Sequence, residues 1–442
     1  MEVRTISTEI IKPSSPTPSH LRVHKLSVLD QLTPDIYFSI LLFYSGLAWK
    51  RTTKALQLSD HLKKSLSETL THYYPFAGRV NDDDKSVNCD DSGAIFIEAQ
   101  VTNKMSEILK QPQMDTLAQL CPRNVSNNTL TSQPNLAVQV NYFYCGGVAI
   151  AVCFRHVVAD ASAVANFIKN WAAIARGVSD HHITKNDIVF DCSSIFPPQE
   201  LSGLLKSLFE KHCSTKEIVR KRFTFDVAKI AALRDKINEG SCNLDGPTRF
   251  EAVSTLILSA VIAAVKERDQ SSTCPKYLAA FIPVNLRKRM NPPFPEQCIG
   301  NIYQATQITW PIEKTMSDYK CLAAKLKESI KMINDNYVRK LHEGGGYADL
   351  LRKEDNSINL IGTEVQSFAV SGWCRFPFYE ADFGWGKPMW VSTTFRVDNN
   401  AILLDACDGQ GIEAWVGLSK EDMEKFEQDP GIMTYASLNP SI

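Results

Sequence analysis

The chain has no apolar run of membrane-spanning length. Its longest, such as residues 148–154, fall far short of the ~20 residues that a spanning helix needs. Residues 1–18 lack the charged-then-apolar order of a secretory signal, and the closing Asn439-Pro440-Ser441-Ile442 is no retention or peroxisomal tag. A cytoplasmic protein is therefore expected. No long block of basic charge occurs. The chain has 48 Lys and Arg against 49 Asp and Glu, a net charge of −1, which argues against nucleic acid as the main partner. A single phosphorylated ligand stays open, because a few local cations suffice for it. The 12 cysteines include no C-x-x-C pair and lie mostly among apolar neighbours. In a reducing compartment they are expected to be core thiols rather than bridges. Two glycosylation sequons, at Asn124 and Asn127, then mark only a polar loop.

Several catalytic signatures are also missing. There is no G-x-S-x-G elbow, which argues against an α/β-hydrolase. No Walker sequence occurs, and Gly409-x-Gly411 lacks the third glycine of a dinucleotide loop. His181-His182 has no ligand partners at useful spacing, so no metal site is expected.

What is present is a soluble-type composition, 44% apolar and 22% charged, in 442 residues. A chain of that length exceeds what one core supports, so two domains are expected. Leu58, Leu62, Leu66 and Leu70 recur every fourth residue and predict a helix capped near Ser59 or Asp60. Residues 136–144 and 148–154 read as a hairpin over Cys145-Gly146-Gly147. Residues 317–341 read as one long amphipathic helix, and 389–395, 401–405 and 412–416 as a strand meander. The aperiodic stretch with Pro197-Pro198 reads as a crossover. The predicted organisation is an N-terminal domain over 1–190, a linker over 191–220 and a C-terminal domain over 221–442. The fold class is α/β, with mixed sheets flanked by helices.

The most informative stretch is Arg155-His156-Val157-Val158-Ala159-Asp160-Ala161. It follows the uncharged, β-branched run 148–154, which reads as a buried strand. Behind it Val164, Ala165, Ile168, Trp171 and Ala172 recur at helical spacing. His156 therefore stands where a buried strand gives way to a helix, a rigid place from which to aim a side chain into a crevice. Histidine is also the side chain best matched to proton exchange near neutrality. H-x-x-x-D spacing alone is common, and a packed His beside a helix-capping Asp160 is the plain alternative. A second stretch, Asp382-Phe383-Gly384-Trp385-Gly386, reads as a tight turn with a packing Trp. Asp382 is expected to anchor an ion pair rather than act as a base. Arg287 and Arg289, at a strand end, are its natural cationic partners.

The ordered set of His156-Val157-Val158-Ala159-Asp160 and Asp382-Phe383-Gly384-Trp385-Gly386 resembles the plant BAHD acyltransferases. Leu29-Asp30-Gln31-Leu32, Tyr74-Pro75-Phe76-Ala77-Gly78-Arg79, Val284-Asn285-Leu286-Arg287 and Gly300-Asn301 extend that resemblance over the chain. Met290-Asn291-Pro292-Pro293 and Ser371-Gly372-Trp373-Cys374-Arg375 are similar to the alkaloid O-acetyltransferases of the vinorine synthase type. The family has Gly after the motif Asp where this chain has Ala161. The resemblance implies two domains like chloramphenicol acetyltransferase, joined by a crossover, with a solvent channel between them. It implies His156 at the channel's centre as general base and Asp160 turned away, paired with Arg287. It implies Asp382 paired with Arg289, and Asp382, Gly384, Trp385 and Gly386 in a structural loop.

The function so implied is acyl-CoA-dependent O-acyl transfer in a monomer, with acetyl-CoA as co-substrate and no permanently bound cofactor. The acceptor would be a hydroxyl of an alkaloid or related hydrophobic plant metabolite. Hydroxycinnamoyl or benzoyl donors, and a non-catalytic binder on the same scaffold, are the alternatives.

Overall fold

The computed structural model describes all residues except 47–54, 82–84, 123–132, 178–187, 189–191, 202–216, 240–245, 269–274, 314–318, 344–345, 348 and 350–363. The sequons, His181-His182 and most of the expected crossover lie outside the described residues.

Alternating and continuous apolar runs form two mixed sheets. The first has six strands in the order Val3–Ile11, Ala94–Val101, Leu136–Phe143, Val148–Arg155, Tyr37–Tyr44, Trp390–Thr393. Val148–Arg155 is buried at every position, as expected of a strand covered on both faces. The second sheet has seven strands in the order Tyr303–Pro311, Tyr277–Asn285, Val365–Gly372, Asn400–Asp405, Ile412–Ser419, Ile218–Phe225, Ser437–Leu438. A small three-stranded sheet joins Val23–Lys25, Ser86–Asn88 and Arg79–Val80. Each large sheet has its own apolar core. A third cluster joins Val28 and Leu29 to Val284, Leu286 and Ile302, and so packs the two halves together.

The hairpin read from residues 136–154 is present, with Leu136 opposite Phe154 and Tyr142 opposite Val148. The helix Ala161–Ala175 follows, with Asp160 at its N-cap and Gly177, at φ 73°, just past its end. Arg249–Lys266 carries the capping box Thr248/Glu251 and is buried over most of its length.

Three elements differ from expectation. The helix carrying Leu58–Leu70 begins earlier than its predicted cap, at Ala55, and ends at His72. The long helix read over 317–341 is two helices, Tyr319–Met332 and Asp335–Glu343. Asn334 interrupts it, because its side chain accepts from the Tyr337 N–H (3.1 Å) and starts the second helix.

The meander is also broken. Trp390–Thr393 does not pair with Asn400–Asp405 but with Tyr37–Tyr44 of the first sheet. Its Trp390 indole is fully buried, 5.0 Å from the Phe43 ring, and donates to Glu413 Oε2 at 3.0 Å. Glu413 in turn holds Arg222 (2.9 Å), and Trp415 Nε1 donates to Ser392 Oγ (3.1 Å). The stretch 221–442 thus lends one strand to the first sheet, and these polar contacts fasten it between the halves.

Candidate active site

The main chain at His156 is fixed before the side chain is considered. Arg155, at the end of its strand, makes a bidentate bond to Asp35 (2.6 and 2.5 Å), the strongest form of such a pair. The His156 N–H donates to Ile36 O at 2.8 Å. The imidazole then leans on Phe38, with ring centroids 4.9 Å apart, and on Phe395 at 6.0 Å.

Its protonation follows from one neighbour. Asn301 Nδ2 donates to Asp30 Oδ1 (2.9 Å) and to the His156 carbonyl (2.7 Å). Both partners accept only, so that atom must be the amide nitrogen. Asn301 Oδ1, 3.1 Å from His156 Nδ1, is therefore an acceptor. Nδ1 carries the proton and Nε2 keeps its lone pair. Burial lowers the His156 pKa below that of a free imidazole, and the nearby Asp160 carboxylate only partly opposes this. The site thus holds a neutral, oriented imidazole.

Asp30 anchors the arrangement. Its carboxylate accepts from Ser27 N–H (2.8 Å), Ser27 Oγ–H (2.6 Å), Asn301 N–H (2.7 Å) and Asn301 Nδ2. Burial pushes its pKa up, and those four donors oppose the shift.

Asp160 faces the other way. It caps the Ala161–Ala175 helix through Ala163 N–H (2.8 Å) and accepts from Ile302 N–H (3.0 Å). It also receives a two-pronged bond from Arg287 (2.8 and 3.1 Å). Arg287 is 2% exposed and also donates to Cys298 O at 2.7 Å. The carboxylate therefore ties the motif turn to the second half of the chain.

His156 lines one of two adjoining cavities. The first, of about 160 Å³, is lined by His156, Phe38, Trp373, Phe395 and Asn400 among others. The second, of about 480 Å³, carries Arg249, Lys288, Arg289 and Arg375. Ser162, Pro283, Asn285, Gly372 and Phe376 line both, so the two are continuous. Gly372 is needed there, since a Cβ would lie 2.6 Å from the Phe250 ring.

A family model described as the Transferase family matches residues 1–433. The chain is 51% identical to epi-neemfruitin B synthase of Melia azedarach over the full length of both. It is 50% identical to limonoid 1-O-acetyltransferase of Citrus sinensis, covering 100% of each chain. The solved structure of vinorine synthase matches with a TM-score of 0.80 at 32% identity, covering 96% of each chain. The chain belongs to the Transferase family, the BAHD acyltransferases. It is an acyltransferase with the mixed α/β fold of that family.

One expected pairing in this BAHD acyltransferase is corrected. Asp382 and Arg289 do not meet. Asp382 Oδ1 accepts from the N–H groups of Gly384 (2.9 Å) and Gly386 (2.8 Å), and Arg176 Nη1 donates to its carbonyl. Gly384 and Gly386 have φ of 104° and 108°, which glycine adopts freely. Trp385 stacks on Phe383 at 5.5 Å and packs edge-on to Tyr44. Arg289 instead donates to Ile330 O (2.9 Å) and Ile333 O (2.8 Å), the orphan carbonyls at a helix C-terminus. The loop 382–386 lines neither cavity and braces the first core.

Among the described cysteines, none that lines either cavity is an activated thiol. Cys374 lines the second cavity with its thiol pushed up to about 12 by burial. Cys153, near His156 in sequence, is buried, and its thiol is raised well above the ordinary value by the Cys121 sulfur and by burial.

Sequence reasoning placed Gly300-Asn301 and the segment with Asp30 among family motifs but gave neither a task. The available signal was chemical: two polar residues in otherwise apolar surroundings, at 30 and 301, have to find buried partners.

Proposed function

We propose that this enzyme is an acyl-CoA-dependent O-acetyltransferase with His156 as general base. The acceptor hydroxyl gives its proton to His156 Nε2 while its oxygen attacks the thioester carbonyl carbon. The tetrahedral oxyanion collapses, the carbon–sulfur bond breaks, and the CoA sulfur leaves with the proton returned by the imidazolium. Proton transfer of this kind contributes about 10²–10⁴-fold. The remainder comes from holding both substrates in line.

The observation that carries this reading is the neutral imidazole, Nδ1 committed to Asn301, in the wall of an apolar cavity that adjoins a cation-rich one at Ser162 and Asn285. Arg249, Lys288, Arg289 and Arg375 suit the phosphates of CoA. The apolar cavity suits the alcohol. Acetyl from acetyl-CoA, a limonoid-type alcohol as acceptor, a monomer and a cytoplasmic location are parts of the proposal. The name of the limonoid 1-O-acetyltransferase relative supports the acceptor class. An alkaloid alcohol is the second reading, supported by the match to vinorine synthase. Among the described residues no helix is long and apolar enough to cross a membrane.

The test is thiol release from acetyl-CoA with limonoid and alkaloid alcohols, the ester confirmed by mass. Ester formed from a limonoid alcohol supports the first reading, and ester formed only from alkaloids moves the enzyme to the second. Release without ester means hydrolysis and defeats both.

A further inference from the structure

The wall of the first cavity is mostly apolar, so each polar side chain on it needs a reason to be there. Most already have one. His156 is held by Asn301, and Asp160 by Arg287. Asn285 Oδ1 accepts from the Arg287 N–H (3.0 Å), and Ser371 Oγ from Trp373 Nε1 (3.1 Å). Tyr303 shares a hydrogen bond with Thr33 (3.1 Å). Two side chains remain without a hydrogen-bond partner among the described residues, Ser162 and Asn400. Ser162 stands where the two cavities join. Asn400 lines only the first cavity and is 4% exposed.

Asn400 is held in place by its backbone. It opens the strand Asn400–Asp405 and pairs with Ala369 on one side and Gly417 on the other. Its Oδ1 lies over Gly417, 3.2 Å from where a Cβ would stand there. A larger residue at 417 would push the amide into the cavity. Phe395, Val397, Ala401 and Ile402 are apolar neighbours in sequence that line the same cavity, and Arg220 Nε lies 3.5 Å from the same Gly417 Cβ position. Neither end of the carboxamide has a hydrogen-bond partner among the described residues, which leaves it available to a ligand in the cavity.

We propose that Asn400 is the acceptor-reading residue of this enzyme. Its carboxamide hydrogen-bonds a second oxygen of the acceptor, a carbonyl or hydroxyl remote from the hydroxyl being acylated. The acceptor class is therefore a polyoxygenated hydrophobic alcohol rather than a bare hydrocarbon alcohol. This rests on the acyltransferase function proposed above and refines it.

The experiment uses the full chain, acetyl-CoA, and a matched pair of limonoid alcohols, one with a remote ketone and one deoxygenated at that place. Wild type is expected to prefer the ketone. Asn400→Leu should lower kcat/KM for the ketone by on the order of tenfold to a hundredfold. It should leave the deoxygenated alcohol, and the KM for acetyl-CoA, within about threefold on the same scale. Asn400→Asp, nearly isosteric, accepts but does not donate, so it should reject the ketone and retain an acceptor with a hydroxyl there. Equal losses on both alcohols, or a change confined to the acetyl-CoA KM, overturn the assignment while the enzyme stays active. If wild type acetylates neither alcohol, the limonoid reading proposed above fails first, and this assignment fails with it.

Discussion

The carboxylate of Asp30 and the carboxamide of Asn301 meet at 2.9 Å, and that contact decides which face the amide turns to His156. Without it and the His156 carbonyl, which accepts from the same nitrogen at 2.7 Å, Asn301 could present nitrogen or oxygen to the ring. With it, only oxygen is offered, Nδ1 keeps a proton, and Nε2 is free to take one.

Asn301→Leu should lower kcat while the protein stays folded. The substitution strands the Nδ1 proton and one side of Asp30, at a cost of about 1–3 kcal/mol, or roughly fivefold to 150-fold in rate if it falls on the transition state. Steady-state kinetics with acetyl-CoA binding measured in parallel checks this. An unchanged kcat would mean the ring needs no orienting partner.

The pH profile follows from the same ring. Burial lowers the His156 pKa below that of a free imidazole, so the base form predominates at neutral pH. The kcat/KM should be flat above that value and fall only on the acid side, as the imidazole gains a proton and can no longer accept one. A rise continuing well above pH 7 would assign the acid limb to another group.

Asp160→Ala should act through stability. It leaves Arg287 buried without its charge partner, which typically costs about 3–5 kcal/mol, and it also removes the helix cap at Ala163 N–H. Chemical denaturation should show this, with Asp160→Ala/Arg287→Met recovering part of it. Activity lost with full stability retained would place Asp160 in the chemistry.

Gly386→Ala tests the loop that braces Trp385. Nothing lies within 4 Å of an added Cβ, so the only penalty is the backbone at φ 108°, worth about 1–3 kcal/mol. The melting temperature should drop while kcat per folded molecule holds. A large fall in kcat would mean the loop reaches the site.

The hairpin before His156 and the helix after it were legible because both are single, continuous apolar patterns with clear stops at Gly146 and Gly177. The break at Asn334 was not, because apolar periodicity runs through it and only a side-chain cap divides the helix. The destination of Trp390–Thr393 was hidden for a different reason. A four-residue strand pairs with whichever edge buries its Trp, and that edge is some 350 residues upstream in sequence. Asp382 and Arg289 were paired on complementary charge and on the family resemblance. The turn's own N–H groups and a helix's last carbonyls were nearer partners, and neither can be seen in side-chain spacing.

The most direct test of the account is single-turnover transfer from acetyl-CoA by His156→Ala beside wild type. The account predicts that the variant binds acetyl-CoA and melts as wild type does, yet forms ester at least about 10²-fold more slowly. Ester formation at the wild-type rate would contradict it.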